Sequence, residues 1–137
     1  MPDRTDYRYW LAKARDSHRK AKKLFADPDI GLGLPRARDA ARDYLRAALL
    51  RSEPNIPESM VESNSLLELA KHVAEQNPTF QVSKNIPGPE GTIFTVKEAL
   101  TLFEQFEPQT DAETILTLLA RIAKELDLAS KLRPAQS

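Results

Sequence analysis

Apolar residues recur along this chain at alternating steps of three and four, in several separate stretches. In the first, Tyr7, Leu11, Ala14, His18, Ala21 and Phe25 make one continuous stripe, which Trp10 and Leu24 widen. That spacing follows one face of a helix and predicts a helix over 5–26. "DPDIGLGLP" then places two prolines and two glycines in nine residues and predicts a break. A second helix is predicted from Pro35, which suits a first turn, to Arg51. Its inner face is Ala37, Ala41, Tyr44, Leu45 and Ala48, and the small alanines let another helix approach closely.

"SEPNIPES" reads as a loop. A third helix follows to Gln76, with Leu66, Leu69, Ala70 and Val73 inward; Ser65 caps its start and Glu68, three residues on, reaches back. Residues 77–94, "NPTFQVSKNIPGPEGTIF", have no helical period and hold three prolines and two glycines. They predict one long loop, with a short extended piece at Phe80–Val82. A loop of that length in a compact domain points to mobility or to a cover over a site. Thr95 with Glu98, and Thr110 with Glu113, form Thr-x-x-Glu capping boxes that start the last two helices. The fourth, 96–107, buries Val96, Leu100, Phe103 and Phe106. The fifth, 111–131, presents Ile115, Leu116, Leu119, Ile122, Ala123 and Leu126, and Pro134 ends the ordered chain. No strand pattern competes. The expected fold is all-α, a bundle of about five helices with one long loop at 77–94, in a single domain over 1–137.

Composition fits that picture. Hydrophobic residues make up 41 %, enough for a core. There is no cysteine, so disulfides, thiolate metal sites and a cysteine nucleophile are excluded. No apolar run is long enough to span a membrane, and "MPDRTDYRYW" lacks the core of a signal peptide, so a cytoplasmic protein is expected. The net charge is zero but uneven: residues 1–51 carry 13 Lys/Arg against 7 Asp/Glu, and residues 52–137 carry 7 against 13. Such asymmetry marks either a basic surface for an anionic partner or two halves that attract each other.

Candidate chemistry is thin. His18 sits in the apolar stripe, where a histidine is more often bonded to a neighbouring helix than catalytic; it is nonetheless the possible functional histidine. His72 reads as a boundary residue facing water. Neither has the companions of a metal site, and no metal or cofactor is expected. Arg38, Arg42 and Arg46 form a ladder at steps of four on the second helix, with Arg36 and Arg51 at its ends. Arginine suits phosphate, but Asp39 and Asp43 on the same helix offer ion pairs that account for much of the ladder. "ARDYLRAALLRSEPN" resembles the second helix of a tetratricopeptide repeat, yet nothing similar recurs about 34 residues later.

"YWLAKARDSHRKAKKLF", "ARDAARDYLRAALLRSE" and "SNSLLELAKHV", in that order, resemble the HEPN domain family of small helical proteins from prokaryotic toxin–antitoxin and defence systems. Tyr44–Leu50 and Ser63–Leu67 carry the match, and the likeness covers about residues 6–76. The resemblance implies a homodimer and a possible partner protein such as a minimal nucleotidyltransferase. It also implies a ribonuclease site made of an arginine, four to six residues and a histidine. Here Asn64 takes the histidine's place, and the upstream window Pro57–Ser59 holds no arginine. Asparagine does not exchange a proton near neutral pH. Asn64 is therefore expected to help cap the third helix, and no catalytic residue is assigned. The expected function is a non-catalytic HEPN-like protein binding RNA, a nucleotide or a partner protein. Arg38, Arg42, Arg46, Arg51 and Asn64 are its candidate nucleic-acid or phosphate contacts. The alternative is a helical adaptor or scaffold subunit with no nucleic-acid role.

Overall fold

A computed structural model of the chain describes residues 6–26, 30–105 and 112–126. Within them the helices are α1 (Tyr7–Ala26), α2 (Ile30–Ser52), α3 (Glu58–Val61), α4 (Leu66–Gln76), α5 (Val96–Glu104) and α6 (Ala112–Glu125). Two short strands, β1 (Asn85–Pro87) and β2 (Ile93–Thr95), form an antiparallel hairpin. The architecture is an all-α bundle with a small appended hairpin.

α1 and α2 lie antiparallel. Tyr7 meets Arg51, Trp10 meets Arg46, and His18 meets Tyr44, so positions advance on one helix as they retreat on the other. Near their junction Gly33 lies against Phe25: a Cβ added there would stand 2.7 Å from the ring. This close packing bears on the first correction. α2 begins at Ile30, five residues before the predicted start, and Pro35 lies inside it. The proline forfeits one bond, to the carbonyl of residue 31, without ending the helix.

α2 is the central element and packs on α1, α4, α5 and α6. One apolar face was expected, but Ala40, Ala47, Leu49 and Leu50 are buried as well. A helix apolar on most sides belongs inside a bundle. α4 buries Leu66, Leu69, Ala70 and Val73 as its pattern requires, and α5 buries Val96, Leu100 and Phe103. α6 contributes Ile115, Leu118, Leu119 and Ile122, with Leu126 just beyond it; Leu116 and Ala123 are only partly buried. The Thr95 box is complete: Thr95 Oγ1 accepts from the Glu98 N–H at 3.0 Å, and the Thr95 N–H donates to Glu98 Oε1 at 2.8 Å. Phe106, the Thr110 box and the stretch 127–131 lie outside the described residues.

Two further corrections concern the irregular stretches. α3 is a one-turn helix inside the loop expected before the third helix. The long loop at 77–94 is a folded segment. Phe80 and Ile86 are fully buried, and Ile86 pairs with Phe94 in the hairpin. The extended piece expected at Phe80–Val82 is not a strand; the strands lie further on. Backbone bonds from Val96 N–H to the Lys84 carbonyl and from Lys97 N–H to the Val82 carbonyl tie the segment to α5. Lys84 Nζ pairs with Glu125 Oε1 of α6 at 2.7 Å. The turn needs Gly88, where an added Cβ would stand 2.5 Å from Thr92 Oγ1, and it holds Glu90 and Gly91 at positive φ (56° and 79°).

Candidate functional site

The ladder spacing places Arg42 and Arg46 one turn apart on α2, facing the segment that joins α3 to α4. Arg46 is spent there on every nitrogen. Its Nη1 donates to Asp43 Oδ1 at 2.9 Å, its Nε to the Val61 carbonyl at 2.7 Å, and its Nη2 to the Ser63 carbonyl at 3.2 Å. Nη2 also reaches Asn64 Oδ1 at 3.5 Å. The guanidinium carbon lies 4.9 Å from the centre of the Trp10 ring. Arg46 thus ties the α3–α4 connection to α2 and supplies positive charge at the carbonyl end of α3. Its side chain is 12 % exposed and that of Asp43 only 7 %. Burial pushes the Asp43 carboxyl above its ordinary range, while Arg46 and then Lys13 pull it part of the way back.

Arg42 repeats the arrangement closer to solvent. Its Nη1 donates to Asp39 Oδ1 at 3.2 Å and its Nε to the Asn64 carbonyl at 3.2 Å. The intrahelical ion pairs expected from Asp39 and Asp43 are therefore present. Arg38 is partly buried, about 12 Å along the helix axis from Arg46. Arg51 is held over the Tyr7 ring at 5.6 Å. Of the candidate phosphate contacts, the structure brings together Arg42, Arg46 and Asn64.

Asn64 is exposed, and it does not cap α4. Ser65 Oγ accepts from the Glu68 N–H at 3.2 Å, so serine is the cap. The Ser65 N–H goes to Ser63 Oγ. Glu104, reaching across from α5, accepts from the Leu66 N–H at 3.0 Å. With the first N–H groups of α4 served this way, the asparagine is left to the arginines.

The histidines lie elsewhere. His18 Nδ1 is 2.8 Å from the Tyr44 hydroxyl, with the rings edge-on, and its Nε2 is enclosed with no hydrogen-bond partner among the described residues. Burial, then the charge of Lys22, lowers its pKa. Burial raises that of Tyr44. Tyr44 meets His18, whereas Arg46 meets Trp10, which lies eight residues, or about 12 Å, from His18 along α1. His72 lies between Glu75, 3.4 Å away, and Glu68, 3.9 Å away, on the outer side of α4. Among the described residues no cluster of His, Asp or Glu is arranged to hold a metal ion, and no helix is long and apolar enough to cross a membrane.

Sequence reasoning missed three contributors. Trp10 was read only as widening a stripe, yet Lys13 and Arg46 both lie against its ring. Tyr44 was read as core without the histidine it bonds. Glu104 carried no local signal at all, since its role at α4 arises from a contact 38 residues away. The chain matches no protein-family model, no curated protein and no solved structure.

Proposed function

We propose that this chain is a non-catalytic, HEPN-like helical protein that acts by binding a protein partner, in the toxin–antitoxin or defence setting that the resemblance implies. The observation that carries this reading is the state of the Asn64 position. Its side chain faces Arg46 at 3.5 Å, so a cation is present there, but among the described residues no histidine accompanies it, and the nearby Asp43 carboxyl is bonded to Arg46. His18 is bonded to Tyr44, and His72 is flanked by glutamates. Phosphodiester cleavage needs a proton shuttle beside the charge that stabilises the phosphate.

Protein binding is favoured over RNA binding because Arg42 and Arg46, the two candidate arginines that the structure brings together, are bonded inward. Arg46 is bonded to one carboxylate and two carbonyls, and Arg42 to one of each. A specific observation keeps RNA as the second reading: Arg15, Lys22 and Lys23 on α1 are exposed and make no ion pair among the described residues. A salt titration of single-stranded RNA binding, followed by fluorescence anisotropy, separates the two. The protein-binding reading expects weak affinity unchanged by Arg42→Ala. Tight, steeply salt-dependent binding weakened by Arg42→Ala would overturn it.

A further inference from the structure

We propose that the hollow between the end of α2, the loop after it and α3 receives one lysine or arginine side chain of the partner protein. The inference rests on the partner-binding reading and specifies the chemistry of that partner.

The hollow is walled by Trp10, Leu50, Ile56 and Val61, and it has a volume of about 110 Å³. That is well below the roughly 300 Å³ at which nucleotide- or drug-sized ligands begin to fit, and it suits the stem of one long side chain. Its rim carries Glu58 and Glu62, four residues apart and both exposed. Neither makes an ion pair among the described residues. The chain from Ser52 to Ala70 contains four glutamates and no lysine or arginine, so no cation of that segment answers them. The cations that lie against its Trp10 wall are otherwise engaged: Arg46 with Asp43 and two carbonyls, and Lys13 over the Tyr9 and Trp10 rings.

An apolar hole under two carboxylates matches a side chain with an aliphatic stem and a cationic head. The stem covers the apolar wall while the head stays at the wet rim. A phosphate or a nucleic-acid backbone would be repelled by the same carboxylates. A purely apolar side chain would fill the hole but leave the rim charges unanswered, so complementarity selects the cation.

The chain has one tryptophan, and it lines this hollow, so its fluorescence reports occupancy directly. Full-length protein is titrated with acetyl-Gly-Lys-Gly-amide and acetyl-Gly-Arg-Gly-amide, with acetyl-Gly-Gln-Gly-amide as the neutral control. The expected result is a saturable change with at least one cationic peptide at millimolar concentration. That affinity should be at least fivefold weaker for the glutamine peptide and for a Glu58→Gln/Glu62→Gln variant whose circular dichroism is unchanged. No saturable change with either cationic peptide, equal affinity for the neutral one, or full affinity in the double variant would overturn the proposal. Should the double variant lose its fold, amide shifts of residues 56–62 in the unaltered protein decide instead, and shifts confined elsewhere would overturn it. Failure here leaves the partner-binding reading to its RNA tests, and RNA cleavage would sink that reading whatever the peptides do.

Discussion

Removing Arg46 should damage the fold far more than an exposed helix arginine has any right to. In Arg46→Ala, Asp43 keeps a 7 % exposed side chain and loses its cation, and the carbonyls of Val61 and Ser63 lose their donor. Each hydrogen bond to a charged group is worth roughly 1.5–3 kcal/mol, but bonds on one guanidinium do not add. Breaking one side of a buried pair costs about 3–5 kcal/mol, because the charge left behind is uncompensated. We expect about 3–4 kcal/mol for Arg46→Ala, a fall in Tm of roughly 10–15 °C for a domain of this size. Arg42→Ala should cost only about 1 kcal/mol, since its partner Asp39 is 40 % exposed and water substitutes. Asp43→Ala combined with Arg46→Ala should cost clearly less than the two single variants together, as the orphaned carboxylate is gone. Urea unfolding followed by circular dichroism measures all of these. Arg46→Ala within about 1 kcal/mol of the unaltered protein, or Arg42→Ala costing as much as Arg46→Ala, would refute the assignment of Arg46 as the tie between α2 and the α3–α4 connection.

Thr95→Ala removes the Oγ1 acceptor of the cap at α5, leaving only the backbone N–H bond to Glu98, and should lower stability by about 1 kcal/mol, read from the urea midpoint. His18 gives a pH signature. The unfolded chain takes up its proton near 6.5, whereas the folded protein resists protonation to a lower pH. Stability present above 6.5 is therefore lost as the pH falls below it, and His18→Gln should flatten that part of the urea-midpoint profile. Gly88→Ala should destabilise the hairpin, because its Cβ meets Thr92 and Phe94; amide exchange at Ile86 and Phe94 should quicken.

The helices were legible where one face alone is buried. α4 could be read residue by residue, because its apolar positions keep the helical period and its Ser65 cap is local; in α5 the cap and Val96, Leu100 and Phe103 were legible, but the buried Ala99 was not, and the helix closes at Glu104, short of the expected 107. α2 was less legible at its start, since "IGLGLP" carries break signals that close packing against α1 overrides at Gly33. The hairpin was missed because its strands are three residues each, with the only buried side chain of the first strand at Ile86. At the candidate site, the Asp43–Arg46 and Asp39–Arg42 pairs followed from spacing. The bonds from those arginines to the Val61, Ser63 and Asn64 carbonyls did not, because backbone acceptors leave no mark in a sequence. Glu104 was illegible for another reason, its partner lying 38 residues away: it and Ser65 serve the first N–H groups of α4, where Asn64 was expected to help.

The central claim, that Asn64 stands where cleavage chemistry is absent, is tested most directly by incubating the purified protein with transfer RNA and single-stranded RNA. The account predicts intact RNA, with no difference between the unaltered chain and its Asn64→Ala and His18→Ala variants. Cleavage by the unaltered chain that disappears in either variant would contradict it.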